Sequence, residues 1–135
     1  MTRLVGMWVV LAVACAGPEG VAQTAAGPQP SASEGVLQIE VAGLRAALAA
    51  SAVLIDVRTP EEYAAGHVPG ARNVPLDLLS TRLDEIGPAG TPVYVICQSG
   101  RRSLAASQQL AAAGRKPVNV LGGTAAWKAA GFPTE

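Results

Sequence analysis

Aromatic side chains are scarce in this chain: two Trp, two Tyr and one Phe among 135 residues. With half of the residues hydrophobic but only 4% aromatic, a core must be assembled from Ala, Val and Leu. Charge of one sign is lacking too. Ten basic and ten acidic residues cancel, which gives no electrostatic pull towards nucleic acid or an acidic membrane surface. A single histidine, His67, and two cysteines, Cys15 and Cys97, are too few for a structural zinc site. No internal repeat is visible, and no apolar run is long enough to cross a bilayer unaided. The length suits one domain with one substantial core.

The first apolar run, Leu4 to Ala14, follows Arg3 and is about eleven residues long, the size of a secretory h-region. Residues 1–15 are therefore expected to be a signal peptide, and the protein to be exported to the periplasm or cell envelope. Ala12-Val13-Ala14-Cys15 resembles a bacterial lipoprotein box, with Cys15 as the lipidated first residue. Ala14-Cys15-Ala16 equally has the small-x-small form of an ordinary cleavage site. Only a lipid at Cys15 would bring this protein to a membrane. In either case Cys97 is the one thiol left in the mature domain, so no internal disulfide is available. Residues 16–35 are Ala, Gly, Pro, Gln, Ser and Thr almost throughout and cannot bury enough surface to offset ordering, which predicts a flexible linker. The folded domain is expected over 36–135, as a monomer.

Within that domain, Val36 to Glu40 alternates apolar and polar residues, as a half-buried strand does, and Leu44, Ala47 and Leu48 fall at helical spacing. Val53-Leu54-Ile55-Asp56-Val57 has the profile of a central parallel strand that carries one carboxylate. Thr59-Pro60-Glu61-Glu62 is a helix start: a threonine cap, proline at the first position, then two acids suited to the dipole. Tyr63 would anchor that helix, Gly66 to Gly70 would end it, and Ala71 to Val74 reads as an edge strand. Leu76, Leu79, Leu83 and Ile86 predict an amphipathic helix over Pro75–Ile86. Pro92 to Ile96 and Pro117 to Leu121 are further strands. A helix starts at Leu104, runs through about Ala113 with Leu104, Ala105 and Leu110 as its apolar stripe, and closes at Gly114. Trp127 anchors a last short helix. Strand and helix alternate, so the fold class is α/β with a mainly parallel sheet covered on both faces. Sites in such sheets lie beyond the carboxyl ends of strands, where Asp56 and Cys97 both fall.

The chemistry concentrates in Val93-Tyr94-Val95-Ile96-Cys97-Gln98-Ser99-Gly100-Arg101-Arg102-Ser103. A β-branched run ends on a cysteine, and a polar turn with two arginines leads into a helix. Turn and helix N–H groups are free to point at whatever the sulfur carries, and the helix's positive end and the arginines favour thiolate, the nucleophilic form. Asp56, costly to bury alone, needs a partner; a structural ion pair and support for a loop are both open.

Three blocks carry a resemblance to the rhodanese family of sulfurtransferases. Cys97-Gln98-Ser99-Gly100-Arg101-Arg102-Ser103 looks like its active-site loop, C-x-x-G-x-R-S; Asp56 to Ala71 resembles its upstream signature and Gly122 to Pro133 its C-terminal one. The resemblance implies a rhodanese-like five-stranded sheet and transfer of sulfane sulfur from thiosulfate, or a similar small anionic donor, to cyanide or a thiol through a Cys97 persulfide. It implies that Arg102 is catalytic, that Gln98, Ser99, Gly100, Arg101 and Ser103 bind substrate, and that Asp56 and Arg58 support the loop. It places His67 in a structural turn, and it calls for no metal or organic cofactor. Cysteine-dependent phosphatases have one more residue between cysteine and arginine than the four here, which disfavours phosphate. A non-catalytic binding or sulfur-carrier module remains the alternative.

Overall fold

The computed structural model describes residues 35–135. The expected signal peptide, the lipidation site Cys15 and nearly all of the expected linker lie outside them. The strands are β1 (Leu37–Ile39), β2 (Val53–Asp56), β3 (Arg72–Asn73), β4 (Pro92–Ile96) and β5 (Lys116–Val120). The helices are α1 (Val41–Ala49), α2 (Pro60–Ala64), α3 (Arg101–Ala112) and α4 (Gly123–Ala129). The five strands form one sheet in the order β1-β5-β4-β2-β3, and every pairing is parallel, so the sheet is wholly rather than mainly parallel. Each connection is a crossover, as parallel neighbours require.

Alternation along the strands feeds two cores, one per face. Val93, Val95 and Cys97 point with Ile55 to one side, where Leu79, Ile86, Ala106 and Leu110 pack on them. Leu54 and Ile96 point to the other, against Leu44, Val120 and Trp127. Aliphatic side chains do nearly all of this. Trp127, the one aromatic ring that is buried among the described residues, donates from Nε1 to Pro133 O at 2.7 Å and meets Phe132 edge-on at 4.9 Å.

Two local expectations change. Pro75–Ile86 is not an α-helix but two 3₁₀ turns, Leu76–Thr81 and Leu83–Ile86. Thr81 Oγ1 donates to Leu78 O at 2.8 Å, and Arg82 leaves helical geometry at φ −120° and ψ 30°. The apolar spacing serves 3₁₀ turns equally well, because side chains at i and i+3 eclipse: Leu76 with Leu79, Leu83 with Ile86. The second change is that α3 begins at Arg101, not Leu104. Its buried stripe is Ser103, Ala106, Ser107 and Leu110, so two hydroxyls face the sheet where Leu104 and Ala105 were expected.

Candidate active site

Cys97 directly follows β4, the middle strand. From β2 the chain moves outward to β3 on one side, and from β4 it moves to β5 on the other. The carboxyl ends of β2 and β4 therefore flank the point where the winding reverses, the standard position for a site in an open parallel sheet. Val57 N–H, donating to Ile96 O at 3.0 Å, locks the two strand ends together.

The turn after Cys97 folds back over its sulfur. Gly100 at φ +98° caps α3 and donates its N–H to Cys97 Sγ at 3.1 Å. Only glycine takes that conformation freely, and a side chain there would also meet Gly122 N at 3.2 Å. The Cys97 side chain is fully buried. Burial pushes the thiol's pKa up, but the hydrogen bonds that the Ser103 hydroxyl and the N–H groups of Ser103, Ser99 and Gly100 can offer to the ionised sulfur outweigh it, and the net shift is downward. A cradle of donors thus surrounds a sulfur that can bear negative charge.

The loop's arginines differ. Arg101 is exposed and makes no side-chain hydrogen bond or ion pair among the described residues. Arg102 is committed: Nη1 and Nη2 donate to Glu62 Oε2 and Oε1, each at 2.8 Å, in a bidentate fork. Glu62 in turn closes the capping box of α2, accepting from Thr59 N–H at 3.0 Å. Foremost through the Arg102 fork, its pKa falls from 4.5 to about 2. This depressed carboxyl contributes stability that is fully present above pH 4.5 and disappears as the pH falls to about 2. The pair is about one-third exposed, so Glu62→Gln should cost only about 0.5–1 kcal/mol at neutral pH. Urea denaturation against pH should show wild type and variant converging as the acid limb is descended.

Asp56 and Arg58 form the buried support beneath the loop. Arg58 Nη2 donates to Asp56 Oδ2 at 2.7 Å and to Gly66 O at 2.9 Å, while Asp56 Oδ1 accepts from Arg58 N–H at 3.0 Å. Arg58 Nη1 stands 3.5 Å from Gln98 Oε1, the outer limit of a hydrogen bond. The two readings of Asp56 therefore meet in one arrangement, an ion pair whose arginine reaches the loop. His67 is engaged elsewhere: it stacks on Tyr63 at 3.7 Å, Nδ1 meets Tyr63 O at 2.9 Å, and its backbone exchanges hydrogen bonds with Glu135.

Behind the loop lies a partner that residue chemistry did not single out. Thr124 donates to Cys97 O from its N–H at 2.8 Å and from Oγ1 at 3.1 Å, and Ala125 N–H donates to Gln98 O at 3.1 Å. Gly123 is the point of closest approach, since a Cβ there would lie 2.3 Å from Cys97 O. A Gly-Gly pair such as Gly122-Gly123 is the mark in a sequence of a place where another backbone can come near.

A family model described as a rhodanese-like domain matches residues 40–130, a span that contains the strand ends, the cysteine loop and the Gly-Gly turn. The chain belongs to the rhodanese-like domain family. This rhodanese-like domain is 46% identical over 77 residues to the uncharacterized protein YqhL of Bacillus subtilis, the match covering 56% of this chain and 60% of that protein. It is 35% identical over 115 residues to thiosulfate sulfurtransferase 18 of Arabidopsis thaliana, covering 75% of this chain and 85% of the relative. A rhodanese-related protein from Thermoplasma volcanium superposes with a TM-score of 0.67 at 32% identity, over 73% of this chain and 96% of that one.

Proposed function

We propose that the domain is a sulfurtransferase that carries sulfane sulfur on Cys97, with thiosulfate or a similar small anion as donor and cyanide or a thiol as acceptor. One observation carries this reading: the Cys97 sulfur sits under converging N–H donors that lower its pKa although it is buried. In the first step the thiolate attacks the outer sulfur of thiosulfate. The S–S bond of the donor breaks, its electron pair leaves with sulfite, and Cys97 becomes a persulfide anion. The loop N–H groups then face the added charge without having to reorganise. In the second step cyanide attacks the terminal sulfur, thiocyanate departs, and the bonding pair returns to Cys97 as thiolate. Neither step consumes an oxidant or a metal.

Exposed and unpaired among the described residues, Arg101 is the cation at hand for an arriving anion, with Gln98 and Ser99 beside it. Arg102 adds positive potential near the sulfur while its fork holds α2 in place, and Gly100 and Ser103 supply donors. The reading includes export, with Cys15 as the lipid anchor or as part of the cleavage site; mass spectrometry of the mature N-terminus from native membranes distinguishes the two. The chain incubated with thiosulfate and cyanide should form thiocyanate. A folded chain that releases neither thiocyanate nor sulfite would instead favour the binding-module alternative.

A further inference from the structure

Two buried polar side chains beside Cys97 are unusual for their positions. Asn119 lies within β5, opposite Val95 of β4, and Ser103 in the first turn of α3; they are 1% and 0% exposed. Asparagine is poorly suited to a strand interior and costly to bury unless it is bonded. Here it is bonded to the cysteine loop at two points. Ser103 Oγ donates to Asn119 Oδ1 at 2.6 Å, and Asn119 Nδ2 faces Gly100 O at 3.5 Å. Gly100 is the residue whose N–H holds Sγ, and the Ser103 hydroxyl is the side chain whose hydrogen bond acts on the acidity of the sulfur.

A serine hydroxyl has one proton to give. While Asn119 Oδ1 takes it, only the lone pairs of Ser103 Oγ can face the sulfur, which suits an S–H group and not a thiolate. To turn the proton to Sγ, Asn119 must present Nδ2 to Ser103 instead, which swings Oδ1 towards Gly100 O. Two carbonyl oxygens then face each other. The amide's preferred orientation thus opposes ionisation of the thiol.

We propose that Asn119 is a positioning residue: by accepting the Ser103 hydroxyl proton it withholds that proton from Cys97 Sγ and keeps the thiol less acidic than the loop alone would make it. The inference rests on Cys97 being the reacting thiol, but it concerns acidity and not turnover. The thiolate is the form that oxidants attack, so a brake on ionisation protects the resting cysteine. The charged groups around the loop are Arg101 and Arg102 of α3, the Asp56–Arg58 pair at the carboxyl end of β2, and Glu62 of α2, paired with Arg102; α4 brings Lys128, whose Nζ stands against Gly66, and β5 only Lys116 at its far end. Substitution at Asn119 alters none of them.

The test is the pH dependence of iodoacetamide alkylation in the full chain, read on the Cys97 peptide by mass spectrometry so that Cys15 does not contribute. Asn119→Leu removes the competing acceptor, and the alkylation midpoint should move to lower pH. Below the wild-type midpoint the rate should rise by roughly threefold or more, as expected when the sulfur gains one hydrogen bond. In a Ser103→Ala background the same substitution should leave the midpoint where it is. An unchanged or raised midpoint overturns the proposal. So does an equal shift with and without the Ser103 hydroxyl, which a merely structural role would produce. If the leucine variant fails to fold, Asn119→Val, β-branched and at home in a strand, is read in the same way.

Discussion

Exchanging Cys97 for Ser should abolish the proposed sulfur transfer, with an expected fall of more than about a thousandfold in thiocyanate formation, as loss of a covalent nucleophile entails. The loss is one of chemistry and not of folding. A serine hydroxyl at this position would meet the same N–H donors of Ser99, Gly100 and Ser103, so the loop keeps its shape. What disappears is a group that the loop's donors make more acidic than an ordinary thiol, and a heavy atom able to hold a second sulfur. The variant should therefore denature within about 1 kcal/mol of wild type in urea while its turnover is lost. Activity above about one per cent of wild type would mean that another group accepts the sulfur.

Gly123→Ala is the most damaging single methyl group on this account, because it strikes the loop from behind. The added Cβ would lie 2.3 Å from Cys97 O and 2.7 Å from the carbonyl carbon of Gln98, both backbone atoms that cannot rotate away. The residue also has φ +59°, a conformation that alanine resists. Left-handed strain of about 1–2 kcal/mol and overpacking of about 1–3 kcal/mol act together. The cysteine turn must move, and the hydrogen bonds from Thr124 to Cys97 O and from Ala125 to Gln98 O lengthen or break. The expected outcome is a loss of about 2–5 kcal/mol in urea denaturation together with a large fall in sulfur transfer. Gly131→Ala is the control. Its φ of +77° carries the same conformational strain, but no atom lies within 4 Å of its Cβ, so it should cost only about 1 kcal/mol and spare activity.

Much of this site is legible in one dimension because its parts are short-range. Thr59 and Glu62 are three residues apart and form the capping box that their identities announce. The Asp56–Arg58 ion pair spans two residues, and the cysteine, the glycine that caps α3 and the helix start all fall between Cys97 and Arg101. The pair Gly122-Gly123 signals a close approach, though not that Thr124 would clasp Cys97 O. What escapes is what topology alone brings together. Arg102 reads as a ligand for an anion, and nothing local reveals that Glu62, forty residues earlier, already fills its fork. Ser103 and Asn119, sixteen residues apart, meet only because β5 lies next to β4. The 3₁₀ turns over Leu76–Ile86 escape for a different reason: the three-residue spacings Leu76–Leu79 and Leu83–Ile86 fit both helix types, and only Arg82's departure from helical geometry between them decides.

The central claim, that Cys97 carries the transferred sulfur, is tested most directly by intact and peptide mass spectrometry of the chain after exposure to thiosulfate and removal of excess donor. The account predicts one added sulfur atom, located on the Cys97 peptide, absent from Cys97→Ser and discharged as thiocyanate on addition of cyanide. A folded chain that turns over thiosulfate while Cys97 stays unmodified, or one that carries the extra sulfur on a different residue, would contradict it.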